Sequence, residues 1–177
     1  TGLFYTNSPV SGKTGIGHVV NKGYANGFEG LITYINSIVP HNEIMGEALR
    51  KDVPMYPELV VRELVANAII HQNFFVHGTS PMIEIFSDRM EITNPGAPLI
   101  EKERFIDHPP ISRNERLAAF MRRIGICEER GSGFDKIVYQ TELFKLPAPE
   151  IEVYYNYTKV IVFAHKEYAK MSKEERQ

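Results

Sequence analysis

Among 177 residues there is one cysteine and no tryptophan. Cys127 cannot close an internal disulfide, and a lone thiol fits a reducing compartment, here read as the cytoplasm. No apolar run approaches the ~20 residues a membrane span needs. No N-terminal stretch has the basic-then-apolar form of a signal peptide. A membrane partner is therefore not expected. Neither sign of charge dominates: 20 Lys and Arg stand against 22 Asp and Glu, a net charge of −2. That balance argues against a domain whose main work is gripping nucleic acid, which is usually basic. A P-loop is missing too. Gly12-Lys13-Thr14 is the nearest run, but Asn7 stands where the loop's leading glycine belongs. His71 and His77 have no third ligand at zinc spacing. Cys127 has no neighbouring His to activate it, so a buried structural thiol is the plainer reading. Wholesale disorder is excluded by 43% hydrophobic and 24% charged residues, both ordinary for a globular domain.

What is present is a mixture of periods. Residues 1–27 are glycine-rich, with short strands about 3–5 and 17–20, and read as the tail of an upstream domain or as an edge on the main one. Apolar residues Phe28, Leu31, Ile32, Ile35 and Ile38 predict a helix that Pro40 stops. Residues 40–56 read as a loop with at most one helical turn. Pro57 suits a first helical position, and Val60, Val61, Leu64, Val65, Ala68 and Ile69 carry a helix through His71. Two strands, 82–86 and 90–93, form a hairpin, and 94–98 is turn chemistry. Ser112 and Glu115 have capping-box spacing and open a helix through Arg123 that Gly125 closes. A glycine loop at 129–133 precedes a helix to about 143, and strands 151–155 and 159–163 form a last hairpin. The order predicts an α+β two-layer sandwich over residues 28–165, its sheet mostly antiparallel or mixed, with helices on one face. The chain opens on Thr1 and ends where Ser172 and Glu175 again have capping-box spacing. We therefore expect flanking domains at both ends, with 166–177 the start of a linker.

The chemistry concentrates on the helix ending at His71. Glu63, Asn67 and His71 fall at i, i+4 and i+8, on one side of an otherwise apolar helix. A carboxamide oxygen can ligate Mg²⁺, which prefers hard oxygens and keeps several waters. A carboxylate one turn away can orient or deprotonate a water attacking a phosphate. The plain alternative is the solvated stripe of an amphipathic helix. Two glycine turns follow, Asn94-Pro95-Gly96 after a strand and Gly131-Ser132-Gly133 before a helix. The second could offer backbone N–H groups to phosphate. Arg113, Arg116, Arg122 and Arg123 lie close in sequence; a basic DNA-reading face competes there with an ordinary solvated or partner-facing surface. The aromatic run at 154–157 could stack on bases, but terminal-hairpin aromatics more often pack in a core or an interface.

In this order the motifs resemble the Bergerat-fold ATPases, the superfamily of gyrase, heat-shock chaperones, histidine kinases and MutL. More closely they resemble the bacterial RecG-related helicase or transcriptional-regulator branch, whose members carry AlbA-like, Schlafen-related domains. The matching segments are Arg62 to His71, Asp88 to Gly96, Arg113-Asn114 and Glu129 to Gly133, spread across residues 28–163. The resemblance implies a Bergerat, histidine-kinase-like ATPase fold that binds ATP with Mg²⁺. It implies Glu63 as the catalytic carboxylate and Asn67 as the Mg²⁺ ligand. Nucleotide contacts would come from Asn67, His71, Asn94, Gly96, Arg113, Asn114, Gly131, Ser132 and Gly133. DNA would be met through a flanking winged helix, not this segment, and a homo-oligomer is left open. Several positions depart from the pattern. Asn94 stands where the superfamily has an adenine-reading aspartate, and Pro98 replaces a lid glycine. Gln72-Asn73-Phe74 replaces Arg-Asp-Tyr, and no lysine is identified for the γ-phosphate. Binding is therefore expected over hydrolysis. Two rivals remain: a degenerate domain acting as scaffold or dimerisation unit, and a histidine-kinase-like phosphotransferase, which lacks a phosphoacceptor helix here.

Overall fold

A computed structural model of the chain describes residues 3–7, 17–20, 23–39, 41–45, 50–86, 88–105, 108–109, 111–127 and 133–164. The elements are β1 (Leu3–Asn7), β2 (Gly17–Val20), α1 (Tyr24–Ile38), β3 (His41–Met45), β4 (Arg50–Pro54), α2 (Glu58–His71), β5 (Met82–Ile85), β6 (Arg89–Pro95), α3 (Glu115–Arg123), α4 (Gly133–Leu143), β7 (Glu150–Val153) and β8 (Tyr157–Phe163), with a 3₁₀ turn at Lys102–Arg104. The main sheet runs β2-β1-β5-β6-β8-β7. Its β5-β6-β8-β7 quartet is wholly antiparallel, β1 joins β5 in parallel, and β2 pairs antiparallel at the edge. This is the expected α+β sandwich. The N-terminal arm contributes β1 and β2 to that sheet.

Helix α2 is the centre of the helical layer, touching α1, α3, α4 and β6. Its sequence is apolar nearly all round, the pattern of a buried helix rather than a surface one. Val60, Val61, Leu64, Val65, Ala66, Ala68, Ile69 and Ile70 are all buried. Burying each of the larger ones favours the fold by about 1.5–3 kcal/mol. They meet Phe28, Leu31, Ile32 and Ile35 of α1, Ile83 and Ile85 of β5, Met90 and Ile92 of β6, Val162 of β8, Met121 of α3 and Ile137 of α4 in one core. The alternation of β5 follows from this packing, since Ile83 and Ile85 are buried while Met82 and Glu84 are not.

The opposite face of the sheet is charged. Glu91 accepts bonds from Arg89 Nε and Lys159 Nζ, each at 2.6 Å. Burial by itself would raise this carboxyl, but the bonds from Lys159 and Arg89 outweigh it and hold it below the usual range. Glu84, opposite Glu91 in the ladder, is pushed up by burial and by that neighbouring charge.

Three local expectations are revised. Residues 41–45 and 50–54 form a two-stranded hairpin, where a loop was expected. Helix α1 starts at Tyr24, four residues early, because Tyr24 anchors it: its hydroxyl donates to Gln72 Oε1 at 3.0 Å and its ring meets Phe74. Helix α3 begins at Glu115 rather than at the Ser112 box, and its N-cap residue Asn114 makes no side-chain cap bond. The Asn114 amide is engaged elsewhere.

Candidate active site

A cavity of about 240 Å³ opens between α2, the segment from β6 to α3, and the start of α4. Glu63, Asn67 and His71 line it, so the polar side of α2 faces a cleft rather than bulk solvent. Asn94, Gly96, Arg113 and Gly133 line it as well. The structure therefore brings seven of the expected site residues together. Asn114 is not among the lining residues. Gly131 and Ser132 lie outside the described residues.

One end of the cavity is built around a close approach. A Cβ placed on Gly133 would collide with the Glu63 carboxylate and lie 3.2 Å from Asn67 Nδ2. Only a glycine lets the first turn of α4 sit this close to both side chains. Arg122 of α3, Lys136 of α4 and Cys127 line the cavity too, together with Phe134. Burial pushes the Cys127 thiol up, the Glu63 charge adds to that, and Arg122 opposes it, which puts these three groups in one neighbourhood. Sequence reasoning missed Arg122 and Lys136 as site residues. For Lys136 a signal existed: it stands three residues after Gly133, on the same side of α4. In the sequence Arg122 stands with Arg113, Arg116 and Arg123 as one basic set, either a DNA-reading face or a solvated or partner-facing surface. The structure divides that set, with Arg113 and Arg122 lining the cavity and Arg116 and Arg123 exposed.

The other end is where α2 stops. The last carbonyls of a helix lack intrahelical donors, and here side chains supply them. Asn94, oriented so that both ends of its carboxamide are satisfied, donates to Ala68 O at 2.9 Å and accepts from Gln72 N at 3.3 Å. Gln72, itself buried, donates to Ile69 O at 3.0 Å. Asn114 Nδ2 donates to both Ile70 O and Gln72 O at 2.8 Å. Arg113 Nε donates to His71 O at 3.1 Å, and its Nη2 donates to Ala97 O. Each carbonyl from residue 68 to residue 72 thus has a side-chain partner. Gly96 packs into this clamp with φ +103, and a Cβ there would lie 2.8 Å from Asn73 Cβ. Thr158 Oγ1 donates to Gly96 O at 2.9 Å, tying β8 to the same turn. Burial and the Arg113 charge both hold the His71 imidazole below its ordinary pKa, so it is neutral at pH 7.

Between the two ends the walls are apolar, from Ala68, Ile92, Leu99, Ile100, Ile111 and Val160. Such a cleft has an apolar slot at its middle and cations with a carboxylate and a carboxamide at one end. It can take a flat hydrophobic group joined to an anionic tail. Among the described residues no group of three His, Cys, Asp or Glu could hold a metal by itself. A Mg²⁺ ion does not require one: Glu63 and Asn67 supply hard oxygens one turn apart, and Mg²⁺ takes its other ligands from phosphate and water.

The comparisons agree with an ATPase-like domain. Residues 78–162 match the family described as "Putative ATP-dependent DNA helicase recG C-terminal". That match supports a nucleotide-binding, ATPase-like module. It covers β5 to most of β8, including Gly96, Arg113, Arg122 and Lys136, and leaves α2 outside it. The crystal structure of the DIP2311 protein from Corynebacterium diphtheriae has a TM-score of 0.83 with this chain at 20% identity. The likeness extends over 93% of this chain and 35% of that one, so the chain spans about a third of that protein's length. It is a likeness of fold. Nothing among curated proteins matches. No helix among the described residues is long and apolar enough to cross a membrane.

Proposed function

We propose that this domain is a Bergerat-type module that binds ATP with Mg²⁺ in the cavity beside α2. The observation that carries the reading is the packing of Gly133 on Glu63 and Asn67 at the cationic end of a largely apolar cleft. The base would lie against Ile92, Leu99, Ile100 and Val160. The phosphates would lie toward Gly133, with Mg²⁺ held by the Asn67 amide oxygen. Glu63 stands where it can orient a water toward the terminal phosphate. Mg²⁺, when bound, would offset phosphate charge. The protein's own contribution is the apolar walls and the Glu63 carboxylate.

Calorimetric titration of the domain with Mg²⁺-ATP tests this. Heat with saturation is expected, and a folded sample giving none at millimolar ATP sinks the reading. Where turnover is measurable, Glu63→Gln should lower its single-turnover rate by about 10²- to 10⁴-fold while nucleotide still binds. Equal rates would remove Glu63 from that role.

One observation favours a second reading, a degenerate domain that serves as scaffold or dimerisation unit. Both ends of the Asn94 carboxamide face the α2 backbone, so this residue is not turned toward an adenine. The same titration decides between the two. In the wider protein we place the module in a DNA-binding regulator, with DNA met by a flanking domain. Net charge −2 supports that division. The isolated chain should bind duplex DNA only weakly at ~150 mM salt. A submicromolar dissociation constant with a steep salt slope in fluorescence anisotropy would make the chain itself the DNA reader.

A further inference from the structure

Around the apolar walls of the cavity, the polar side chains are mostly engaged with main chain. Asn94 donates to Ala68 O, Arg113 to His71 O and Ala97 O, and Thr158 to Gly96 O, while the His108 ring lies 2.7 Å from Pro109 O. His71 is different. It lines the cavity, and among the described residues no group hydrogen-bonds its ring. Asn94 accepts from the N–H of Gln72, the residue after His71, so the two side chains stand at one end of the cavity. Ile92 shares a face of β6 with Asn94, so the apolar slot adjoins that end.

A neutral imidazole carries one donor and one acceptor. Which nitrogen holds the proton is set by the bond the other one makes. With neither nitrogen committed to a protein group, the ring can present either arrangement. The two purines differ at the point where such a group would meet them: adenine has an exocyclic amino donor, guanine an exocyclic oxygen acceptor. A fixed carboxylate suits the first and repels the second. A ring free to exchange tautomers suits both.

We propose that His71 hydrogen-bonds the edge of the base, and that the site in consequence accepts guanine nucleotides as well as adenine ones. The assignment rests on the cavity being a nucleotide site. In it the Asn94 carboxamide holds the end of α2, and the reading of the base passes to the imidazole.

Calorimetry of the domain with Mg²⁺-ATP, Mg²⁺-GTP and inorganic tripolyphosphate, which has no base, tests this. ATP and GTP should bind within about tenfold of each other, the span of one ordinary hydrogen bond. A fixed reader would reject one purine by about 10⁴- to 10⁵-fold. In His71→Leu both nucleotides should bind about 3- to 10-fold more weakly, with tripolyphosphate unchanged. His71→Phe, a flat ring without nitrogens, should behave alike and separates the hydrogen bonds from packing. His71→Gln, whose amide again carries a donor and an acceptor, should recover most of the loss for both nucleotides. A preference for either purine beyond that tenfold span overturns the proposal. So does unchanged nucleotide affinity in both His71→Leu and His71→Phe, or an equal fall for tripolyphosphate. Ser112 also lines the cavity, and its hydroxyl is the competing group; a loss seen in Ser112→Ala and not in the His71 variants assigns the base edge there and overturns His71. In each of these cases ATP still binds the natural protein, and the nucleotide reading stands. If neither nucleotide binds the folded protein at millimolar concentration, that reading fails and this assignment with it.

Discussion

The two ends of the cavity use similar residues for different work. Near the end of α2, Asn94, Arg113 and Asn114 direct their donors at main-chain carbonyls of residues 68, 70, 71, 72 and 97. Near Gly133, Glu63, Asn67, Arg122 and Lys136 line the cavity. The first end holds the helix and the turn at Gly96 in place. The second lies where the proposed ligand's phosphates would sit. A motif can therefore be necessary for a site without touching what binds there, and Arg113-Asn114 reads best as such a motif. The contrast has a measurable form: changes at the clamp should be seen in stability, and changes at the Gly133 end in ligand binding.

The largest effect should come from Asn114→Asp. A carboxylate cannot donate, and it would face the carbonyls of Ile70 and Gln72 across the 2.8 Å now bridged by the amide. Two lost bonds and the repulsion that replaces them should cost about 3 kcal/mol, more than Asn114→Ala at about 2 kcal/mol. For a chain of this length that is a fall in Tm of roughly 6–12 °C. Nucleotide affinity of the fraction still folded should change little. If Asn114→Asp melts normally but no longer binds nucleotide, Asn114 belongs to the ligand and the comparison breaks.

Asn94→Asp is a milder test of the same end. One bond survives, because a carboxylate can still accept from Gln72 N, but the donor to Ala68 O is lost. A loss of about 1–2 kcal/mol in urea unfolding is expected. An unchanged midpoint joined to a gain in ATP affinity would show that the residue reaches the base after all.

Gly133→Ala probes the other end. The added methyl must displace the Glu63 carboxylate. Glu63 is the far end of a flexible side chain, so it can move, and the stability loss should stay near 1 kcal/mol. The thermal shift produced by Mg²⁺-ATP should shrink or vanish. A melt as low as that of Asn114→Asp, with the ATP shift intact, would put Gly133 with the structural residues instead.

Much of this arrangement was legible in the sequence, for reasons that differ by residue. Glu63, Asn67 and His71 on one side of a buried helix follow from the 3.6-residue period alone. The hairpin of β5 and β6 follows from alternation and the turn between them. The β3–β4 hairpin was read as loop because 41–54 mixes charged residues with a few apolar ones and has no clean period. Ser112 and Glu115 had the spacing of a capping box. Helix α3 nonetheless starts at Glu115, because Asn114 turns its amide back to α2 rather than forward to its own helix. Nothing within α3 could reveal that contact, which spans 44 positions in sequence. Arg122 was hidden for the same reason. On its helix it looks like Arg116 or Arg123, and only the packing of α3 on α2 turns it into the cleft.

The smallest effect sharpens the boundary between the two ends, where His71 sits. Its carbonyl belongs to the clamp and its ring to the cavity. Burial first, and the Arg113 charge second, hold its pKa below the ordinary 6.5. In the unfolded chain the ring takes up a proton near 6.5, while in the folded chain it stays neutral to lower pH. Between those two values the unfolded state binds more protons, so stability falls as pH is lowered through 6.5 and is unaffected by this group well above it. Stability measured at pH 7.5 and at pH 5.5 should therefore drop more in the natural protein than in His71→Gln, which has no ring to protonate. The difference between the two drops should be the smallest of the effects predicted here. Equal drops would mean the ring is already free to charge in the folded protein, and that the cavity is wetter at its clamp end than the apolar walls imply.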